Sequence, residues 1–289
     1  MNVFTRDQLI LNQQGAVYHL NLLPGQVADT IIVVGDPERV PKVTQYFDEV
    51  TFKTQKREFV THTGTYKGKP LSVISSGIGT GNVEILLLEL DALFNIDLEK
   101  RLPKEKRQVL QLIRIGTSGA LQAAASIDSF VASQYAVGLD TLMSFYDLPQ
   151  TPLEASTGEN LQTLLSLPFR PYCVMGSEHL LTQLTTDMII GNTVTTPGFY
   201  APQGRQLQLA IKYPDLVEQL SSYEAQDFWL MNFEMETAGY YALCRLLGHE
   251  ILSVSAILAN RITAAFSQQA EATVDRLIRT VLERLVALK

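Results

Sequence analysis

Short apolar, β-branched segments alternate with helical patterns along this chain of 289 residues, and this alternation restricts its fold more than any other feature. Seven segments have the length and composition of buried strands, at residues 30–34, 57–66, 71–75, 110–115, 130–136, 170–175 and 251–258. Five segments have helical periodicity, at residues 37–47, 83–94, 177–188, 235–247 and 273–288. The pattern predicts an α/β fold with a central mixed, mostly parallel twisted β-sheet flanked by helices.

The sequence contains no internal repeat, no low-complexity tract and no linker rich in Pro, Gly or Ser. Its most polar stretch, residues 99–108, predicts a solvated loop. At about 150 residues per domain the length would suggest two domains, but the uninterrupted pattern favours a single domain over residues 1–289.

Composition and charge exclude several classes of partner. There are 23 Lys and Arg against 30 Asp and Glu, so the net charge of −7 repels nucleic-acid phosphates and acidic lipids. No apolar run approaches the ~18 residues of a membrane helix, and the first residues lack the pattern of a signal peptide. We therefore expect a cytoplasmic protein that binds neither nucleic acid nor membrane. The charged fraction of 18% is low against an average of about 25%, which indicates surface buried between subunits.

The cysteines and histidines carry no metal or disulfide pattern. Two cysteines, Cys173 and Cys244, are too few for a disulfide framework. The four histidines, His19, His62, His179 and His249, lack metal-ligand spacing, so no metal site is expected.

Ligands of α/β folds gather at the carboxyl ends of strands, and the first such end is residues 35–39 (Gly-Asp-Pro-Glu-Arg). Gly35 allows close approach of the backbone, Asp36 suits a helix N-cap, and Arg39 would lie in the first helical turn. A helix N-terminus with an arginine predicts an anion site. An ordinary turn with a solvated arginine explains the same residues.

The second strand end, residues 75–82, has three alternating glycines, Gly77, Gly79 and Gly81. This pattern matches neither the dinucleotide fingerprint nor the P-loop. Asp97 follows Gly77 by 20 residues, which keeps a nicotinamide-dependent enzyme as an alternative. Glycines needed only for tight packing are an equal alternative.

Arg114 is expected near the end of a buried strand, where an unpaired guanidinium would be costly. It therefore needs either an internal carboxylate or a bound anion. Thr117, Ser118 and Gly119 add hydrogen-bond donors just beyond it.

Glu234 and Glu236 are expected at the start of an otherwise apolar helix. The helix dipole accounts for one acidic residue there, whereas two suggest acceptors for hydroxyl groups such as those of a sugar. The residues thus predict a pocket with an anion end at Arg39 and Arg114 and a polyol end at these glutamates. They do not define a reaction.

Six motifs resemble, in the same order, those of the nucleoside phosphorylase family, which has pyrimidine-specific members and hexameric purine-specific members. The motifs are residues 35–39, 57–59, 76–79, 114–119, 232–236 and 260–261. The resemblance extends from about His19 to the C-terminal helix. It implies a pentosyltransferase that carries out reversible phosphorolysis, in which a nucleoside and phosphate give a free base and a pentose 1-phosphate.

The resemblance also implies site residues. The phosphate binders are Gly35, Arg39, Arg114, Thr117 and, from a neighbouring subunit, Arg57. The ribose binders are Thr117, Glu234, Met235, Glu236 and, also from the neighbour, His19. The base binders are Ser118, Gly119, Phe199, Gln203, Arg205 and Arg261. Arg114, Arg205 and Glu236 are expected to be catalytic, and Arg114→Ala is expected to abolish phosphorolysis while the fold stays intact.

Base specificity depends on residues 199–205, which are similar in spacing to the loop of the members that act on uridine. There a phenylalanine flanks the base, while an amide and an arginine bind the pyrimidine edge. The purine-specific members place an aspartic acid after the last core strand, where this chain has Ala259, Asn260 and Arg261. The resemblance therefore favours uridine.

The implied partners are a small-molecule nucleoside and phosphate, with phosphate as co-substrate and no cofactor. Because Arg57 and His19 would cross an interface, the resemblance implies at least a homodimer, with a hexamer as the larger assembly of bacterial members. Some members bind a monovalent cation between subunits near the position of Glu58. A purine phosphorylase or nucleosidase of the same family, and a non-catalytic nucleoside-binding or storage protein, are the alternative functions.

Overall fold

The computed structural model describes residues 3–225 and 227–288, and within these ranges lie fourteen strands and seven α-helices. The strands are β1 Thr30–Val34, β2 Glu49–Lys56, β3 Phe59–Tyr66, β4 Lys69–Ser75, β5 Ile96–Asp97, β6 Leu102–Pro103, β7 Gln111–Ala120, β8 Phe130–Gly138, β9 Tyr172–Met175, β10 Ile189–Thr195, β11 Glu224–Ala225, β12 Phe228–Glu234, β13 Glu250–Asn260 and β14 Ala265–Phe266. The helices are α1 Arg39–Thr44, α2 Thr80–Asn95, α3 Pro152–Leu165, α4 Glu178–Leu184, α5 Leu216–Ser222, α6 Thr237–Leu247 and α7 Ala270–Ala287.

One mixed sheet of twelve strands runs through the molecule, in the order β11-β12-β10-β8-β13-β7-β1-β4-β3-β2, with β9 on β8 and β14 on β13. Its centre is parallel, from β4 through β1 and β7 to β13 and again from β8 through β10 to β12. Antiparallel pairs form the β2–β3–β4 edge and join β8 to β13. The predicted mixed sheet flanked by helices is confirmed.

The sheet closes on itself because β12 also pairs with β7, with Asn232 opposite Ala120 and Phe233 opposite Gly119. Strands β7, β13, β8, β10 and β12 therefore form a ring. This closure places the end of β12 beside the end of β7, although more than one hundred residues separate them along the chain.

Helices cover both faces of the sheet, as the alternation of side chains along each strand requires. Ile31 and Val33 of β1 belong to the apolar cluster that contains the buried side of α2 and α6. Ile32 and Val34 point to the opposite cluster, with α1, α4 and α7. Within the described ranges no helix has the length and apolar composition that a membrane crossing requires.

Several predicted elements differ from those observed. Strand β7 continues to Ala120, so Arg114 lies in its first half and not near its end. Helix α1 begins at Arg39 with Glu38 at its N-cap, so the prediction of Asp36 as the N-cap is wrong; Asp36 accepts the Glu38 N–H at 2.9 Å in a turn that precedes the helix. Strands β2, β10 and β12 and helices α3 and α5 lie outside the predicted elements. The predicted loop at 99–108 contains only the two residues of β6 as regular structure.

Candidate active site

A cleft of about 770 Å³ opens where β1, β4, β7 and β12 end. Twelve residues predicted for the site line it: Gly35, Arg39, Arg114, Thr117, Ser118, Gly119, Phe199, Gln203, Arg205, Glu234, Met235 and Glu236. Three other predicted residues, His19, Arg57 and Arg261, do not line this cleft. The ring closure of the sheet explains why residues from distant segments line one cleft, since it brings β7 and β12 together.

Arg114 lies between two glutamates in the floor of the cleft. It is 3% exposed, and its Nη2 lies 2.8 Å from Glu234 Oε2 and 2.6 Å from Glu236 Oε2. Burial disfavours the charged guanidinium, but the two carboxylates outweigh this effect and raise the pKa of Arg114. Internal carboxylates are thus its partners, and the predicted anion and polyol ends of the pocket are not separate but meet at this arginine.

Glu234, the last residue of β12, uses its acceptor positions within the protein. It accepts the Thr195 hydroxyl at 2.7 Å and the N–H groups of Glu236 and Thr237 at 3.0 Å, besides its ion pair with Arg114. A carboxylate offers about four lone-pair positions, and these contacts fill them. The expectation that Glu234 binds ribose therefore changes: it holds the junction between β12 and α6 and supports Arg114.

Glu236, in contrast, keeps acceptor capacity that faces the cleft. Its Oε1 accepts the Gly79 N–H at 2.8 Å, and its Oε2 accepts from Arg114 at 2.6 Å. Each oxygen retains a lone pair, which suits two neighbouring hydroxyls of a sugar. Burial raises the pKa of Glu236, and Arg114 opposes that rise.

The glycine-rich segment before α2 has a defined part in this arrangement. Gly79 has φ +94°, a conformation that favours glycine, and it directs its N–H at Glu236. Asp97 lies beyond the far end of α2, and 16 helical residues rise about 24 Å. Because this acid is at the opposite end of the helix from the glycines, the arrangement expected of a nicotinamide site is absent from the described residues.

The anion end of the cleft contains Arg39, Thr117 and Gly35. Arg39 donates from Nη1 to the Ile115 carbonyl at 3.2 Å. Burial, followed by the charge of Arg114, lowers the pKa of Arg39. Arg39 makes no salt bridge within the described residues, whereas Arg114 is already paired with Glu234 and Glu236. The positive charge of Arg39 therefore favours an anionic ligand at this end of the cleft.

The opposite end is built on the loop after β10. Arg205 stacks 3.8 Å from the centroid of the Phe199 ring and donates to the Phe199 carbonyl at 2.8 Å and to Gln203 Oε1 at 2.5 Å. Gln203 is 4% exposed. Burial, followed by the charge of Arg261, lowers the pKa of Arg205.

Arg261 supports this loop from behind. Its Nη1 donates to the Gln203 carbonyl at 2.7 Å, so it positions a cleft residue and is not itself in the lining. The neighbouring Asn260 donates to the carbonyls of Gln122 and Ala125 at 2.9 and 3.0 Å. Residues 259–261 thus place no carboxylate at the base end.

His19 and Arg57 lie apart from the cleft of their own chain. Glu89 accepts from His19 Nδ1 at 2.6 Å and from the His19 N–H at 2.9 Å. Arg57 is exposed in the turn between β2 and β3, with φ +54°. Their assignment to a neighbouring subunit stays a prediction.

The structure adds residues that the sequence analysis missed. Phe233, Leu258 and Phe266 form apolar walls of the cleft, and Phe266 reaches it because β14 pairs with β13. Nothing in the local sequence signals the position of Phe266. Thr195 and Thr196 do have a signal, the β-branched residues at 193–196, but the strand that contains them was not predicted.

The fold and the site together describe an α/β protein with one cleft. This cleft contains the cation Arg39, a buried cluster of Arg114 with two glutamates, and the amide–arginine pair of Gln203 and Arg205. The family model of the phosphorylase superfamily matches residues 29–287, and the chain belongs to this superfamily. Across the described residues, no group of three or more His, Cys, Asp or Glu could hold a metal ion.

Named relatives cover nearly all of the chain. A uridine phosphorylase of Thermococcus kodakarensis is 33% identical over 259 residues, which cover 90% of this chain and 83% of the relative. A purine nucleoside phosphorylase of Streptococcus suis is 26% identical over 280 residues, covering 93% and 98%. The solved Trypanosoma brucei nucleoside phosphorylase, described as showing uridine phosphorylase activity, has a TM-score of 0.86 and 27% identity and covers 96% of this chain and 99% of its own.

Proposed function

We propose that this protein is a uridine phosphorylase, a pentosyltransferase that converts uridine and phosphate reversibly into uracil and ribose 1-phosphate. One observation carries the proposal: a single cleft contains the cations Arg39 and Arg114, the free acceptor positions of Glu236, and the Gln203–Arg205 pair. These groups match, in order, a phosphate, a sugar diol and a pyrimidine edge. Two relatives named uridine phosphorylase agree with this assignment.

The proposed mechanism follows from the charges. Phosphate bound by Arg39, Arg114, Thr117 and the backbone at Gly35 forms a bond to the anomeric carbon while the glycosidic C–N bond breaks. The sugar passes through an oxocarbenium-like state, which the adjacent anion stabilises. No general base is required, because the nucleophile is already ionised.

The residues that face the sugar and the base also have roles in this mechanism. Glu236 orients the 2′- and 3′-hydroxyls, and its bond to Arg114 keeps it in place. The electron pair of the broken bond moves to the base, and Arg205 with Gln203 stabilises the negative charge that grows there.

We also propose a homo-oligomer, at least a dimer and in the larger form a hexamer, in which a second copy supplies Arg57 and His19. Exposure of Arg57 at the end of a hairpin supports this, since it is free to reach another chain. Glu58 lines the cleft and is the candidate position for a monovalent cation. We propose no other cofactor.

We place the enzyme in pyrimidine salvage in the cytoplasm. The proposed reaction, which releases uracil from uridine, supports the role in salvage. Two cysteines, Cys173 and Cys244, support the cytoplasm, because they are buried and unpaired, as is usual in reducing compartments.

The deciding experiment follows the ultraviolet absorbance of uridine, thymidine and inosine, each with and without phosphate. Phosphate-dependent loss of uridine is the expected result. Turnover without phosphate would identify a nucleosidase, and preference for inosine a purine phosphorylase. Binding of uridine without any turnover would identify a storage protein, and each of these three results contradicts the proposal.

A further inference from the structure

Thr196, directly after β10, has a hydroxyl group whose direction is set by the backbone. The side chain is 1% exposed, and its hydroxyl donates to the carbonyl of Gly198 at 3.1 Å or of Glu234 at 3.2 Å. Its N–H also donates to the Glu234 carbonyl, at 2.9 Å. With its hydrogen used in this way, the hydroxyl oxygen is left as an acceptor.

That acceptor faces the amide of Gln203, whose Nε2 donates to Thr196 Oγ1 at 2.9 Å. On the other side of the amide, Arg205 Nη1 donates to Gln203 Oε1 at 2.5 Å. A guanidinium has no acceptor, so it can only face the amide oxygen. The amide is thus held from both sides in one orientation. Reversing it would place the amide N–H of Gln203 against the N–H of Arg205, which are both donors.

An amide held in this way offers the cleft one N–H beside one oxygen lone pair. This pattern complements a base edge with a carbonyl beside a ring N–H, as in uracil. Cytosine offers an amino group or a carbonyl beside an unprotonated ring nitrogen, which would set two acceptors against each other at Gln203 Oε1.

We propose that Thr196 is a specificity-determining residue: its hydroxyl, together with Arg205, fixes the polarity of the Gln203 amide, so that the site accepts a carbonyl–N–H edge and rejects the cytosine edge. This inference rests on the proposed function, because it takes Gln203 to face the base of a bound nucleoside.

Two pairs of side chains at position 196 isolate the hydroxyl. Thr196→Val differs from the wild type, and Thr196→Ala from Thr196→Ser, chiefly by loss of the hydroxyl. In each protein kcat/KM is measured for uridine and cytidine, with the inhibition constants of uracil and cytosine where turnover is slow. We expect loss of the hydroxyl to lower the preference for uridine about tenfold or more in both pairs, since it leaves a buried donor without its acceptor.

Thr196→Ser is expected to keep the wild-type preference. A mere loosening of the loop would instead lower kcat/KM for uridine and for cytidine by the same factor. The ratio of the two kcat/KM values would then be unchanged, and this result would overturn the inference. A preference lost equally in Thr196→Ser would also overturn it, because the methyl group would then be responsible. Thermal unfolding checks each variant, and the Ser/Ala pair decides the matter if Thr196→Val does not fold.

The wild type separates this inference from the proposed function. If the wild type does not consume uridine in the presence of phosphate, the proposed function is wrong and the inference is wrong with it. If it consumes uridine, but the two proteins of each pair prefer uridine over cytidine to the same degree, only the inference is wrong.

Discussion

At the scale of single residues, the Arg114 cluster contains one guanidinium against two carboxylates, all of them buried. Removing the cation leaves the negative charges of Glu234 and Glu236 side by side without a positive charge to balance them. The sequence-based expectation that Arg114→Ala leaves the fold intact is therefore revised. Binding and stability depend on the same side chain here, so loss of activity alone would not identify its role.

We predict that Arg114→Ala abolishes phosphorolysis and also destabilises the protein by about 3–5 kcal/mol, as when one partner of a buried pair is removed. Urea unfolding at pH 7 measures this change. Adding Glu236→Gln to the variant should restore part of the stability but no activity. An Arg114→Ala protein as stable as the wild type would contradict the ion-pair geometry.

Arg39 offers a cleaner test of the anion end. Within the described residues its side chain makes a single hydrogen bond, to the Ile115 carbonyl. We predict that Arg39→Met lowers kcat/KM for phosphate by roughly 10² to 10³, while the unfolding free energy changes by no more than about 1 kcal/mol. Steady-state kinetics at varied phosphate measures the effect.

A matched control lies on the same helix. Lys42 is an exposed residue of α1 that pairs with Glu271 at 3.3 Å. Lys42→Met removes a positive charge close to the cleft but should leave the phosphate KM nearly unchanged. Equal effects of the two substitutions would mean that net charge, and not a contact from Arg39, binds phosphate.

At the scale of elements, α3 shows why some segments escaped prediction. Its buried side includes Thr157 and Gly158 beside Leu161 and Leu165, so the apolar periodicity is weak. The helix is fixed at its start by a capping box, in which the Thr151 hydroxyl accepts the Glu154 N–H and Glu154 accepts the Thr151 N–H.

Glu154 also ties α3 to two other elements. It accepts the Met175 N–H of β9 at 2.8 Å and pairs with Arg245 of α6 at 2.7 Å. Burial disfavours the ionised carboxyl, but Arg245 and the backbone N–H groups hold the pKa of Glu154 below its usual 4.5. The stabilisation is therefore present above about pH 4.5 and is lost as the pH falls through the lower, folded-state pKa.

We predict that Glu154→Gln is less stable by about 2 kcal/mol at pH 7 and loses less stability than the wild type as the pH falls below 4.5. Chemical unfolding between pH 3 and 7 measures both effects. Glu159→Gln, at an exposed position of the same helix, is the control and should follow the wild-type curve. Parallel curves for the wild type and Glu154→Gln would contradict the assignment.

The missed strands have a different cause. Residues 228–233 are apolar except for Asn232, but Glu234 and Glu236 after them suggested the start of a helix, and β12 was overlooked. The strand is defined by its pairing with β10 and β7, which its own sequence does not encode. In contrast, β1 was predicted to the residue, because it is buried throughout and ends at a glycine and a proline turn.

At the scale of the whole molecule, we propose that one complete site needs two copies of the chain. Arg39 belongs to the cleft of one chain, and Arg57 would come from the other. We predict that Arg39→Met and Arg57→Ala proteins, each weakly active, regain activity when they are denatured together and refolded. A mixed dimer has one site with both defects and one with neither, so about a quarter of the wild-type activity is expected in an equal mixture by statistical pairing.

Refolding of each variant alone is the control for this experiment. Activity that does not rise above the mean of the two separate proteins would show that Arg57 does not act across an interface.

The sequence by itself determined the α/β class, the end of β1 before Gly35, and a net charge of −7, which repels nucleic-acid phosphates. These are local properties, carried by periodicity, turn residues and composition. Only the tertiary structure decided that Arg114 pairs with Glu236, 122 residues away, and that Thr196 and Arg205 orient Gln203 from opposite sides. The reason is physical: the partner of a buried charge or amide is set by how the sheet closes, and that closure joins strands far apart in the chain.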